Sequence, residues 1–284
     1  MCRLFGFRSV IRSQVHRSLL AADNALGKLS NDHPDGWGVA YYIDGSPHVT
    51  RSPTTALGDQ LFHRVSGVVA SETVLAHVRK ATKGELNVLN CHPFQYGRWT
   101  FAHNGDIPNF ADTKAELVDL VDPGLRRYIL GDTDSEVVFS IFLTQLRRAA
   151  PLSNHYAIEE VANALRESLF LIRDICDGDD EKDEALLTMI VTDGTTMAGV
   201  QSGKELYWST HKTRCGDRAE CPHLSEECEA PRESGHVNHL LFSSEPIAGE
   251  NVWRKMEKNE VVGVDWRMRL TRSHINRRRL SVAI

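Results

Sequence analysis

Residues 1–9 read MCRLFGFRS: a cysteine directly behind the initiator methionine, then an apolar, strand-like run. If Met1 is removed, Cys2 carries a thiol and a free α-amino group on one residue, so a nucleophile and a base stand in a single unit. The ordinary pKa of an α-amino group, about 7.7–8.0, lets it take up a proton near neutral pH. Whether this pairing is chemistry or accident is decided by the rest of the chain.

The 284 residues suit one large domain or two small ones. Charged residues make up 25% and hydrophobic ones 41%, an ordinary globular balance. A net charge of −5 argues against a nucleic-acid binder, although the basic stretch RMRLTRSHINRRR (267–279) lies near the C-terminus and reads as solvated surface. No apolar run approaches the ~20 residues of a membrane span. The N-terminus lacks the apolar segment and cleavage site of a signal peptide, so a cytoplasmic location is expected. The six cysteines (2, 91, 176, 215, 221 and 228) are then expected to be mostly reduced.

Periodicity orders the chain as strands, helices, strands. RLFGFRS (3–9) reads as a strand and HRSLLAADNALGKLS (16–30) as a helix. GWGVAYYIDGSPHVTRS (36–52) reads as two strands around a turn at Asp44-Gly45, and TVLAHVRKAT (73–82) and RWTFAHNG (98–105) as two more. Helices are expected over 109–122, over 133–150 with Asp134 or Ser135 as cap, and over 157–175, ending in the acidic loop 177–184. Strands return at ALLTMIVTD (185–193), TMAGVQSG (196–203), ELYWST (205–210), HLLFSSEPI (239–247) and EVVGVDWRMRL (260–270), with a polar excursion at about 211–237. This order implies an α+β layered architecture in which helices cover antiparallel sheets. There is no G-x-G-x-x-G or Walker pattern to bind a nucleotide.

Polar clusters stand at the ends of these strands: HPDGWG (33–38), HVRKAT (77–82), NCHPF (90–94), HNG (103–105) and GDTDSE (131–136). Singly, each also reads as ordinary turn or cap chemistry. Together they supply what a carbonyl-attacking thiol needs. Asn104 offers a side-chain amide and Gly105 a backbone N–H to hold a developing oxyanion. Arg79 is a planar fork suited to a carboxylate, and Asp134 is an anion that can hold an ammonium. A carboxylate clamp plus an ammonium clamp defines an α-amino acid end group, and glutamine or a γ-glutamyl amide carries its scissile carbonyl at the far end.

These residues resemble the class II glutamine amidotransferases, a family of N-terminal-nucleophile (Ntn) hydrolases. The resemblance rests on Met1-Cys2, Asp35-Gly36-Trp37-Gly38, Arg79-x-Ala81-Thr82, His92-Pro93, His103-Asn104-Gly105 and Thr133-Asp134-Ser135, in that order over about the first 140 residues. It implies a four-layer αββα sandwich. It also implies Cys2 as nucleophile, Asn104 and Gly105 as oxyanion hole, and Arg79, Thr82, His103 and Asp134 as the substrate-binding set, with no metal and no cofactor. The start MCRLFG and the SSEPI…W segment (243–253) look like the small stand-alone γ-glutamyl hydrolases of the family. On that likeness residues 2–284 form one amidotransferase domain, with core motifs in 2–140 and strands within 185–271 completing the sandwich. Lys80 departs from the tryptophan that larger members often have after the arginine.

The expected activity is hydrolysis of the γ-amide of glutamine or a γ-glutamyl conjugate through a γ-glutamyl thioester. The alternatives are a glutaminase subunit delivering ammonia to a separate synthetase, a non-catalytic partner subunit, or a bile-salt-type cysteine acylase, which the Arg-x-Ala-Thr and Thr-Asp patterns disfavour. Expected partners are the small-molecule amide and either a synthetase or a second copy, with neither nucleic acid nor membrane. Cys215, Cys221 and Cys228 lie among His211, His223, His236 and His239, but C-x₅-C-x₆-C lacks the tight spacing of a zinc knuckle, so the segment reads as a loop with free thiols. His92 and His103 read as polar groups behind the site, and Trp37, Trp99 and Cys91 as core.

Overall fold

The computed structural model describes residues 2–178, 184–216, 218–219 and 221–275. Met1, most of the acidic loop read at 177–184 and the end of the basic stretch lie outside them. The strands in chain order are β1 (Arg3–Gln14), β2 (Trp37–Ile43), β3 (Ser46–Ser52), β4 (Ala70–Val78), β5 (Phe94–Tyr96), β6 (Trp99–Asp106), β7 (Leu186–Thr192), β8 (Met197–Val200), β9 (Tyr207–Ser209), β10 (Gly235–His236), β11 (His239–Ser243), β12 (Arg254–Lys255), β13 (Glu260–Val264) and β14 (Arg269–His274). The helices are α1 (Leu26–Leu29), α2 (Gln60–Val68), α3 (Phe110–Asp119), α4 (Pro123–Arg126), α5 (Asp134–Ala149) and α6 (Ile158–Cys176).

Two antiparallel sheets form, in the orders β12-β9-β11-β1-β4-β2-β3 and β10-β14-β13-β8-β7-β6-β5. Strand alternation sorts the residues into layers. On the outer face of the first sheet, Phe5, Phe7, Val39 and Val74 pack with Leu19, Leu26 and Phe62. On its inner face, Leu4, Ala40 and Leu75 meet Ala102, Ile190, Met197 and Val262 of the second sheet. The outer face of the second sheet packs Phe101, Leu187 and Val191 against Val138, Phe142, Leu165 and Leu169 of α5 and α6. The result is the αββα layering, and each such buried Leu, Phe or Val contributes roughly 1.5–3 kcal/mol of hydrophobic stabilisation. The Asp44-Gly45 turn has φ of 49° and 79°, the positive pair that a tight hairpin needs.

Four local expectations change. The helix read over 16–30 is a five-residue π-helical turn, Arg17–Ala21, followed by the short α1. Asn24 breaks it, because its side chain bonds Pro246 O and the Ala248 N–H, tying the segment to a distant loop. The cap of α5 is Thr133 rather than Asp134 or Ser135, and Thr133 makes no side-chain capping bond. EVVGVDWRMRL is a hairpin, β13 and β14, because Asp265 Oδ1 accepts from the N–H groups of Arg267 and Arg269 at 2.9 Å. The unread helix α2 starts at the cap Asp59, which accepts from Leu61 N at 2.8 Å.

Candidate active site

β1 and β4 pair with Arg3 opposite Val78, so the chain leaving β4 passes beside Cys2. The Lys80 N–H points at the Cys2 sulfur, 3.4 Å away. Burial pushes the Cys2 thiol up, while the Lys80 backbone N–H and the charge of Arg79 pull it down. The segment 79–82 is held by the Asp35-Gly36-Trp37-Gly38 motif. Arg79 N donates to Gly36 O at 2.7 Å, Asp35 N to Arg79 O at 3.1 Å, and Ala81 N to Asp35 Oδ2 at 2.8 Å. Gly36 has φ of 137°, and a β-carbon there would lie 2.7 Å from the Cys91 sulfur. The motif is thus a bracket for the arginine segment, a role its sequence does not disclose.

Arg79 is 3% exposed, and its guanidinium donates to the carbonyls of Lys83 at 2.7 Å and Glu85 at 3.2 Å. The turn 82–85 lends Thr82 and Lys83 to the wall of the site and is tied to Asp106: Thr82 Oγ1 donates to Asp106 Oδ1 at 3.4 Å, and Lys83 Nζ pairs with the same oxygen at 3.0 Å.

β6 carries the His-Asn-Gly motif. Ala102 lies in the core between the sheets, so alternation turns Asn104 toward the first sheet and His103 toward α5. Cys2 shares the inner-face parity of Leu4, so Cys2 and Asn104 address the same space from opposite sheets. Asn104 is 4% exposed and its amide makes no side-chain hydrogen bond among the described residues. His103 is fully engaged: Nε2 donates to Leu186 O at 2.9 Å, and Nδ1 lies 2.9 Å from Ser135 Oγ. Burial holds this imidazole below its ordinary range, although Asp134 works the other way. The Ser135 hydroxyl lies between His103 Nδ1 and Asp134 Oδ1, to which it donates at 3.2 Å, and so links the imidazole to the carboxylate. Asp134, 5% exposed, accepts from Ile107 N through Oδ2 at 2.9 Å and sits in the first turn of α5, where the helix dipole favours an anion.

A cavity of about 20 Å³ lies at the centre, lined by Cys2, Arg79, Thr82, His103, Gly105 and Asp134, together with His92 and Thr133. Six of the seven sequence-expected positions therefore meet at one point, and the seventh, Asn104, lies on the adjoining inner face. Sequence reasoning missed Lys83, Asp106 and Ser135, which act by holding the others. The only available signal was their position inside or next to the motifs.

The loop read at 211–237 covers a separate cavity of about 200 Å³ with Cys215, Cys221, Cys228, His223 and His239 in its wall. It is larger than the cavity at Cys2, but no three His, Cys, Asp or Glu side chains among the described residues converge as a metal set. The smaller cavity is the chemically organised one, joining a thiol to a buried cation and a buried anion. Trp37, Trp99 and Cys91 are buried core, and no helix among the described residues is long and apolar enough to cross a membrane.

The family model for class-II glutamine amidotransferases matches residues 1–267. The chain is 35% identical over 301 residues to a protein of Saccharomyces cerevisiae named probable glutamine amidotransferase DUG3, covering 93% of this chain and 82% of that one. It is 43% identical over 119 residues to the gamma-glutamyl-hercynylcysteine sulfoxide hydrolase of Mycobacterium tuberculosis, covering 38% of this chain and 50% of that one. A solved glutamine aminotransferase class-II domain protein from Silicibacter pomeroyi superposes with a TM-score of 0.63 at 17% identity, over 97% of this chain and all of that one, which shows a shared fold.

Proposed function

This chain belongs to the class II glutamine amidotransferases, and on that premise we propose that it is an N-terminal-cysteine hydrolase cleaving the γ-amide of glutamine or of a γ-glutamyl conjugate. With Met1 removed, the Cys2 sulfur attacks the δ-carbonyl and its proton passes to the Cys2 α-amino group. Asn104 and the Gly105 N–H hold the oxyanion. The C–N bond breaks, the amine leaves with the proton from the α-ammonium, and a γ-glutamyl thioester remains for water to resolve. Arg79 receives the substrate α-carboxylate and Asp134 the α-ammonium.

The observation that carries this reading is the convergence of Cys2, Arg79 and Asp134 on one cavity. That cavity is far below the ~300 Å³ or more of a ligand pocket, so the turn 82–85 must swing out to admit an amino acid. On the same reading residues 2–284 act as one domain, and the free state of all six cysteines suits a reducing cytoplasm. The test is glutamate release by the purified protein from L-glutamine, glutathione and other γ-glutamyl amides, with a glutamine-like diazo-ketone to label the nucleophile. Labelling at Cys2 with loss of activity supports the reading; labelling at Cys91 reverses it.

One observation favours a second reading, ammonia delivery to a separate synthetase. Exposed Leu86, Val88 and Leu89 continue the turn over the site, and Leu89 shares a cavity of about 200 Å³ with exposed Tyr128 and Leu130. An apolar patch there suits a protein partner. Rapid glutamate release by the isolated chain would decide for the hydrolase.

A further inference from the structure

Two of the residues that line the cavity beside Cys2 carry buried polar atoms with no partner among the described residues. His92 is 3% exposed and Thr133 4%, and both line that cavity. Neither ring nitrogen of His92, nor the Thr133 hydroxyl, has a hydrogen-bond partner among the described residues. Against His92, ring centroids 4.2 Å apart and planes tilted by 38°, lies His77, which is wholly buried and has both nitrogens equally unpartnered among the described residues. The His103 backbone favours a charged His77, against the burial that holds its imidazole down.

Each buried polar group left without a partner carries an uncompensated desolvation penalty. Leucine or phenylalanine in this wall would avoid that cost, so the polar atoms are best explained by a partner the protein chain does not supply. With the turn 82–85 closed, the cavity volume is about 20 Å³. A site needs only about 10–15 Å³ to take one water, provided two to four polar groups face it. His92 and Thr133 bring an imidazole and a hydroxyl to the residues that line this space beside Cys2.

We propose that His92 and Thr133 position the water that resolves the thioester at Cys2, with His77 fixing the His92 ring from behind. The proposal rests on the hydrolase reading above. In this step the water oxygen forms a C–O bond to the thioester carbonyl carbon and the C–S bond breaks. One water proton ends on the Cys2 sulfur by way of the α-amino group, and the product is the γ-carboxylic acid, which ionises to solvent. Burial holds His92 well below the ordinary imidazole range, so it is a poor proton acceptor and a positioning residue rather than the base.

The two half-reactions separate the roles. The probes are L-glutamine and γ-glutamyl-p-nitroanilide. Release of ammonia or p-nitroaniline reads acylation, release of glutamate reads deacylation, and intact mass reads the adduct on Cys2. Thr133→Val removes only the hydroxyl, and since that hydroxyl makes no capping bond the helix start is undisturbed. Both Thr133→Val and His92→Phe are expected to keep the acylation burst within about twofold and to slow deacylation roughly tenfold or more, as for loss of placement of one reactant. The acyl-enzyme then accumulates. Hydroxylamine, a stronger nucleophile that does not depend on this placement, restores turnover as the hydroxamate, and His92→Gln recovers part of the rate. A merely structural role would lower both half-reactions together, and that result, or the lack of an accumulating adduct, overturns the proposal. If His92→Phe does not fold, Thr133→Val carries the test. If neither the native protein nor the variants release ammonia or p-nitroaniline, the hydrolase reading itself falls.

Discussion

The Leu186 carbonyl oxygen occupies the place where a β-carbon on Gly105 would stand: the two points are 1.7 Å apart. That oxygen also receives the His103 Nε2–H at 2.9 Å. The missing side chain at 105 therefore lets β7 close on β6 and lets His103 brace Ser135 and, through it, the start of α5. Gly105→Ala is expected to cost at least the ~1–3 kcal/mol of core overpacking, because backbone rather than a flexible side chain is in the way. Thermal unfolding and glutamate release should both suffer. An unchanged melting temperature would mean that the two strands separate without penalty.

The oxyanion hole and the carboxylate clamp are expected to part in kinetics. Asn104→Ala should mainly lower kcat, by about 10²–10³, as for loss of one oxyanion donor. Arg79→Ala should chiefly raise KM. Arg79→Lys should rescue little, since a lysine ammonium cannot meet a carboxylate with two parallel N–H bonds as the fork does. A substrate without the α-carboxylate should be equally poor for native protein and Arg79→Ala. Equal losses on both substrates would remove Arg79 from the clamp.

The latch over the site is expected to be weak. The Lys83–Asp106 pair is about one-third exposed, and such pairs contribute about 0–1 kcal/mol. Asp106→Asn should speed alkylation of Cys2 by a small thiol reagent severalfold in the ligand-free protein. No change in that rate would show that the turn 82–85 does not control access.

Stability is expected to fall in acid before the carboxylates titrate. Burial lowers His77 and His239 to about 3 and His92 well below its ordinary 6.5. Between those values the unfolded chain binds protons that the folded chain refuses. The stability is therefore fully present above about pH 6.5 and is lost as the pH falls toward 3, by up to ~1.4 kcal/mol per pH unit for each histidine. Urea midpoints at pH 7.5 and 5.5 measure this, and His77→Leu should flatten part of the slope. Identical midpoints would contradict the burial of neutral imidazoles.

Active protein is expected to lack Met1, leaving the Cys2 amine free as the base. Intact-mass analysis of the active fraction decides this. Full activity with Met1 retained would rule out the amine as proton acceptor.

Much of the site was legible as a sequence because chemistry constrains residue type. A thiol at position 2, a fork at 79, an amide and a glycine at 104–105 and an anion at 134 have few substitutes, and each follows or ends a periodic segment. The layered α+β order was legible for the same kind of reason, since apolar alternation and helical spacing are local. The break of the 16–30 helix was not, because Asn24 bonds a loop more than two hundred residues away. Nor was the hold of Asp35 on Ala81 or of Leu186 on His103, which join segments brought side by side by sheet register alone.

Local spacing and residue chemistry thus determined which groups were available: a thiol, a guanidinium, an amide beside a glycine, a carboxylate and the elements that bear them. Tertiary structure decided what each group does with its remaining bonds. It fills the Arg79 fork with the carbonyls of its own turn, engages both nitrogens of His103, and leaves the side chains of His92 and Thr133 beside a space of about 20 Å³, and of His77 behind His92, without hydrogen-bond partners among the described residues. The physical reason is that hydrogen-bond satisfaction and burial depend on neighbours that two sheets and a helix deliver from distant parts of the chain.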